Sequence, residues 1–319
     1  MENLSNSLKL RFLKDYSLPI QVVQEPYFTY YMETIDQHFN SLEKLKMLNE
    51  VLLELGDEES FFKEAEKIKT NIINDIQSTM VYKNLSNDKL DEYKLKSNLK
   101  QKDIYNLNNV NKSYISIDLK QANFNVLKLY SNDLVLNCDN YEELIGKYSK
   151  FDYFKKSKYI RQVIFGNLLP KKQQHLQKFL IEIIVNMLEN KNIIDIKDIM
   201  STSSDEIVIS IKNTDVKKIE NKIEEIKNIL LENKLDTITK VEAFELNSIE
   251  NKNYFIKNYI DGKIEFKAIP SYLFIQVYKK YLCKEITNFD KKFYFNGILA
   301  TMDENVFEIK NENIIDENI

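Results

Sequence analysis

The sequence predicts an α+β fold: a helical N-terminal region, an antiparallel sheet with helices on one face, and a small α/β C-terminal extension. Three observations carry this. Gly (5) and Pro (4) are too scarce in 319 residues for a loop-rich all-β fold. Apolar residues step at helical spacing through much of residues 1–80. From Tyr114 to Leu246, alternating β-branched stretches and helical ones follow in the order β-α-α-β-β-α-β.

The N-terminal region, 1–110, starts with a short extended segment within residues 8–24. Pro26 to Leu55 reads as helical, with Tyr30, Ile35, Phe39, Leu42, Leu45 and Leu48 near helical spacing. Gly56 ends it in the position of a C-cap. A second helix from about Glu59 to Met80 carries Phe61, Phe62, Ala65, Ile68, Ile72 and Ile76 on one side. Residues 1–80 hold 14 acids and 8 bases, so this helical hairpin has an acidic surface suited to a protein partner. Residues 84–112 are Lys- and Asn-rich without a clear period and read as a linker or irregular arm.

The central unit, 111–247, opens with a strand, Tyr114 to Asp118, that runs into a helix from Leu119 to Ser131. Asp118 therefore stands at a strand's C-terminal end. Residues 145–178 hold nine bases and one acid, Asp152, a local field that attracts phosphate. An ordinary solvated lysine face is the plain alternative. Pro170 suits the first turn of a helix whose Leu176, Phe179, Leu180, Ile183, Ile184, Met187 and Leu188 form one stripe. Met200 to Ile211 then reads as a β-hairpin with Asp205 and Glu206 at its tip and Ile207, Ile209 and Ile211 on its buried face. Asn213 or Thr214 can cap the next helix, which carries Val216, Ile219, Ile223, Ile226 and Leu230. Thr239 to Leu246 alternates as the last strand.

In the extension, 248–319, Tyr254 to Ile260 and Lys263 to Ile269 flank Asp261-Gly262, a hairpin signal. Pro270 opens a helix with Leu273, Val277, Tyr281 and Leu282, and Phe293 to Ala300 reads as a strand.

The N-terminus has no basic start and apolar run like those of a signal peptide. No apolar stretch approaches the ~20 residues that span a bilayer; Phe179 to Leu188 is broken by Glu182 and Asn186. A membrane is excluded on this reading. Cys138 and Cys283 are far apart and read as reduced thiols, which places the chain in the cytoplasm. Two histidines argue against a zinc site or a His-based triad. Lys, Asn and Ile dominate over only two arginines, the bias of an AT-rich coding sequence such as that of a phage or low-GC bacterium.

Asp118 at a strand end and Asp205 at a hairpin tip can meet on adjacent strands. Two carboxylates beside a lysine-rich surface suit two-metal phosphoryl transfer with Mg²⁺ or Mn²⁺. A solvated tip with two inert acids is the alternative.

Here the sequence resembles the palm of A-family DNA polymerases, those like bacterial polymerase I. That family's first motif is a strand ending in Asp, then Tyr-Ser-Gln-Ile-Glu-Leu-Arg and an apolar helix; Asp118-Leu-Lys-Gln121-Ala-Asn-Phe-Asn-Val126-Leu127 keeps the Asp, the Gln and the apolar pair. The last motif, His-Asp-Glu before β-branched residues, is similar to Ser204-Asp205-Glu206-Ile-Val. Arg161, Asn167, Pro170 and Gln173 or Gln174 resemble the template- and primer-facing helix, and the order of 214–246 follows the family as well.

The resemblance covers about 111–247. It implies a DNA polymerase-like nucleotidyltransferase acting on a DNA or RNA template–primer and a nucleoside triphosphate. Asp118 and Asp205 would be the metal ligands, and Glu206 an accessory catalytic acid. Arg161, Asn167, Lys171, Lys172, Gln173, Gln174 and Lys178 would contact nucleic acid.

The departures are specific. The ribose-gating Glu of the first motif falls on Asn123, and the His of the last falls on Ser204. Only 42 residues separate Asp118 from Arg161, where the family inserts its fingers. Arg161-Gln-Val-Ile-Phe165-Gly166 can instead be aligned with the fingers motif itself, though it then lies too near the acidic hairpin. The palm is thus fingerless in either alignment, and the alternative function is a catalytically inactive scaffold that binds nucleic acid or protein.

Overall fold

The computed structural model describes residues 4–95, 103–211 and 215–308. At the start of 8–24, where an extended segment was expected, the chain is helical: α1 (Asn6–Asp15) is capped by Ser5, whose hydroxyl accepts from Leu8 N, and it buries Leu8, Phe12 and Leu13. The expected helix from Pro26 to Leu55 is two helices, α2 (Tyr27–Phe39) and α3 (Ser41–Leu55). Asn40 breaks them apart in the left-handed region (φ 46°), which Asn tolerates better than most residues. Gly56 ends α3 with φ 93°, a conformation that disfavours a side chain. Asp57 then caps α4 (Glu58–Ser78), and Thr79 caps α5 (Met80–Asn87).

Strand β1 (Lys112–Leu119) leads into α6 (Ala122–Tyr130). The basic stretch folds as three short helices, α7 (Tyr141–Gly146), α8 (Asp152–Lys156) and α9 (Lys158–Gly166). The long α10 (Pro170–Asn190) follows with Pro at its start, as its sequence requires. The acidic hairpin is β2 (Ile199–Thr202) and β3 (Glu206–Ile211). Asp215 caps α11 (Val216–Glu232) through Lys217 N; the caps expected at Asn213 or Thr214 lie outside the described residues. β4 (Thr239–Ser248) closes the unit.

These four strands lie in the order β2-β3-β1-β4, all antiparallel, so the β-α-β-β-α-β path forms a split βαβ arrangement. The strands of the C-terminal segment continue the same sheet: β5 (Phe255–Tyr259) pairs with β4, and β6 (Ile264–Lys267) pairs with β5. The helix after Pro270 is α12 (Phe274–Tyr281). Phe293 to Ala300 is not one strand but a separate hairpin, β7 (Lys292–Phe295) and β8 (Ile298–Thr301). Asn296 and Gly297 both take positive φ at its tip, as a tight hairpin turn demands.

Alternation sorts the two faces. Ile115, Ile117, Leu119, Ile207, Ile209 and Ala243 join one contiguous core with the helices, from Leu8 and Phe12 of α1 to Ile226 and Leu230 of α11. Fully burying a Phe or Leu here contributes about 1.5–3 kcal/mol, so this core dominates the fold's stability. On the opposite face, Tyr114, Val208, Phe244, Leu246, Phe255 and Tyr259 form a second cluster. It is closed by Ile104, Tyr105 and Val110 of the segment before β1 rather than by an α-helix. The N-terminal helices also meet the C-terminal segment: Tyr30 and Tyr31 of α2 donate to Asp290 Oδ1 (2.8 Å) and Phe289 O (2.6 Å). No helix among the described residues is long and apolar enough to cross a membrane.

Candidate active site

Asp118 lies on the face of β1 that carries Tyr114 and Ser116, because residues two apart share a face. Its Cα partner on β3 is Glu206, and its partner on β4 is Lys240. Asp205 occupies the turn before β3, and its carbonyl accepts from Leu119 N (2.8 Å), clamping the turn to the end of β1. Ser203 builds that turn. Its hydroxyl accepts from Glu206 N (2.9 Å) and donates to Asp205 Oδ1 (2.9 Å), while its own N–H donates to Glu206 O (2.8 Å). The three acids singled out in the sequence thus gather at one end of the sheet.

The gathering perturbs Asp118. Burial raises its pKa most, and the like charges of Glu206 and Asp205 add to this, against Lys257 and Lys240. The result is a carboxyl pushed up to about 7. Such a group is half-protonated near neutrality, and a nearby cation favours its ionised form.

Glu206 is held from two sides. Its Oε1 accepts from Ser116 Oγ (2.6 Å) and from Lys257 Nζ (2.9 Å). Lys257 comes from β5, is only 2% exposed, and packs over the Phe244 ring at 4.5 Å. Tyr105 lies against the same group: burial, then the charge of Glu206, raises its phenol pKa. At the far edge Tyr259 donates to Glu265 (3.0 Å), and the ammoniums of Lys263 and Lys267 hold that carboxyl at about 2 against the opposing effect of burial.

The side chains as placed do not form a ready-made metal cage: among the described residues no group of three or more His, Cys, Asp or Glu is arranged to hold an ion. The donor chemistry still fits a hard cation. Mg²⁺ commonly takes one or two carboxylates and fills its remaining positions with water and substrate phosphate. Asp118 and Asp205 are two carboxylates at the same end of the sheet.

The expected nucleic-acid residues divide. Gln173 is 1% exposed, and its amide donates to Phe165 O (2.8 Å) and Leu168 O, closing the end of α9. Lys172 donates to the carbonyls of Leu85, Ser86 (2.9 Å) and Asp88 (2.6 Å) at the end of α5. Both groups are engaged within the protein: Gln173 is buried, and the half-buried Lys172 directs its ammonium to backbone carbonyls. Arg161 sits over the Tyr141 ring at 5.6 Å, and Asn167 donates to Val163 O (2.8 Å) at the end of its own helix. Lys171, Gln174 and Asn167 are exposed, and Lys178 is half-buried. Gln177 of α10 donates to Asn123 of α6 (2.5 Å), tying this helix to the one that leaves the acid end of β1.

Sequence reasoning missed Ser116 and Lys257. Ser116 was readable, since it shares parity with Asp118 inside an Ile-alternating strand. Nothing local marks Lys257. Comparison with protein-family models, curated proteins and solved structures gave no match for this chain.

Proposed function

We propose that this chain is a fingerless, DNA polymerase-like nucleotidyltransferase working on a template–primer and a nucleoside triphosphate. One observation supports it above the others: Asp118, Asp205 and Glu206 come together at one end of a split βαβ sheet, with Asp118 and Glu206 on the face that no α-helix among the described residues covers. Sheets of this architecture host many activities, so the reading rests on the acids and not on the fold.

Asp118 and Asp205 would hold Mg²⁺ or Mn²⁺. When bound, such an ion lowers the pKa of an attacking hydroxyl and offsets charge on the phosphate. The chain's own groups do the rest. Ser203 fixes the turn so that Asp205 stays beside Asp118. Lys171, Lys178, Gln174 and Arg161, on helices tied to α6, supply cationic and amide groups toward a nucleic-acid backbone. Asp118→Asn should abolish Mg²⁺-dependent extension of a primed template while leaving the circular dichroism spectrum unchanged. Extension at the wild-type rate in that variant sinks the assignment.

A second reading is a palm-like scaffold that binds nucleic acid or protein without chemistry. The Lys257–Glu206 pair favours it, because a protein ammonium already neutralises one of the acids. Binding of a primed template with no extension under any divalent ion would select it.

A further inference from the structure

We propose that the cleft where α1, α9 and the residues just before α12 meet is a binding site for a nucleoside monophosphate, with the phosphate on Lys14 and the base held by Gln21 and Gln162. The cleft shares no residue with the acid end of the sheet, and it does not depend on the metal-dependent reading above.

The cleft has a volume of about 500 Å³, within the roughly 300–1,000 Å³ of small-molecule sites. Three distant parts of the chain form it: residues 10–21, Tyr159 and Gln162 of α9, and Ser271. The chain leaves α1 through Ser17, which is left-handed (φ 50°), while Leu18 N donates to Leu13 O (2.9 Å). Leu13, Leu18 and Ile20, each no more than 6% exposed, supply the apolar floor on either side of that turn. Tyr159 closes one wall. The Arg11 guanidinium packs over its ring at 4.6 Å, and Lys14 Nζ lies 5.9 Å from the same ring.

Charge selects the sign of the ligand. Among the described residues no acidic side chain lines the cleft. Arg11 is paired through Nε with Asp15 (3.0 Å), so its charge is offset. Lys14 is exposed and has no ion-pair partner among the described residues. One uncompensated ammonium suits one phosphate group rather than three. Gln21, Gln162 and Ser271 also line the cleft, and their side chains have no hydrogen-bond partner among the described residues. An amide offers both a donor and an acceptor, as the edge of a nucleobase does, and a hydroxyl suits a ribose. The wall therefore complements a base, a sugar and a single phosphate.

The test is calorimetric titration of the full chain with AMP, UMP, ATP, adenosine and inorganic phosphate. A chelator is present, so that no divalent ion bridges a nucleotide to the acid end. AMP or UMP should bind about tenfold more tightly than adenosine or inorganic phosphate, because only the nucleotide makes both sets of contacts. ATP should gain no more than about threefold over AMP, since its extra phosphates meet no further unpaired cation in the cleft. Lys14→Met should weaken AMP about tenfold and leave adenosine unchanged, whereas Lys14→Arg should bind AMP as the wild type does. Gln162→Ala should weaken AMP and adenosine together, by about threefold. Both residues are exposed, so neither substitution opens the core. Inorganic phosphate binding as tightly as AMP marks a lysine that attracts any anion and overturns the proposal. So does a larger preference for ATP, AMP binding that survives Lys14→Met unchanged, or no binding of either monophosphate. AMP binding lost in Asp118→Asn places the nucleotide at the acid end and overturns it as well. AMP binding kept in Asp118→Asn supports the cleft whether or not that variant extends a primer.

Discussion

Lys257 Nζ lies 2.9 Å from Glu206 Oε1, although β1 and β4 stand between their strands. In a flat sheet, strands three places apart are roughly 14 Å apart, so contact requires the sheet to coil toward this face. The acids thus occupy the inside of a curved sheet, and one strand of the C-terminal segment reaches over to them.

Removing the two partners should cost different amounts. The Lys257 side chain is 2% exposed and that of Glu206 28%. Glu206→Gln leaves a buried ammonium and should cost about 3 kcal/mol, whereas Lys257→Met leaves a partly solvated carboxylate and should cost about 1–2 kcal/mol. Urea denaturation checks the order. Equal costs would mean that the ammonium reaches water by another path.

Asp118 gives a pH dependence of definite sign. Its folded pKa of about 7 lies above the ~4 of an unfolded Asp. The folded state therefore binds more protons between those values. Its contribution is most favourable below pH ~4 and is lost as pH rises through about 7. Without divalent ions, Asp118→Asn should raise the Tm at pH 8 and leave it nearly unchanged at pH 4. Thermal melts at the two values test this, and an equal shift at both pH values contradicts it.

Asp15 is fully buried between Arg11 Nε (3.0 Å), Tyr153 Oη (2.8 Å) and Ser157 Oγ, joining α1 to α8 and to the start of α9. Asp15→Ala strands the half-enclosed guanidinium and should destabilise by about 3–5 kcal/mol. Asp15→Asn, which keeps some of the hydrogen bonds, should cost less. Denaturant midpoints for the two variants provide the comparison.

Two lysines from one patch should part company. Lys172→Met releases three carbonyls at the end of α5 and should lower stability by about 1–3 kcal/mol. Lys171→Met touches none of these bonds. If α10 faces nucleic acid, it should reduce the salt slope of binding by about 0.9 and leave the Tm unchanged. Fluorescence anisotropy across a salt series, with melts alongside, distinguishes the pair.

What could be read in advance was what lives in local periodicity. The stripe of α10, the alternation of β1 and the acids at the hairpin tip were legible because one face of each element is buried. The Asn40 break was hidden because a single left-handed residue hardly disturbs apolar spacing across α2 and α3. The helix α1 was missed despite its Ser5 cap, and the β7–β8 turn despite Asn296-Gly297, both of which were signals in plain sight. Local composition also hid structural roles: a Lys and a Gln in the basic stretch close helix ends. Lys257 belongs to another class, for its role depends on how a six-stranded sheet coils, and no short window of residues encodes that.

The curved sheet also imposes a schedule on the growing chain. Lys257 follows Glu206 by 51 positions, so during synthesis the acids of β1 and β3 emerge well before the ammonium that balances them. Until β5 leaves the ribosome, that corner repels itself and exposes the edge of β4. A chain ending at residue 247 would carry the acids without ever acquiring their anchor.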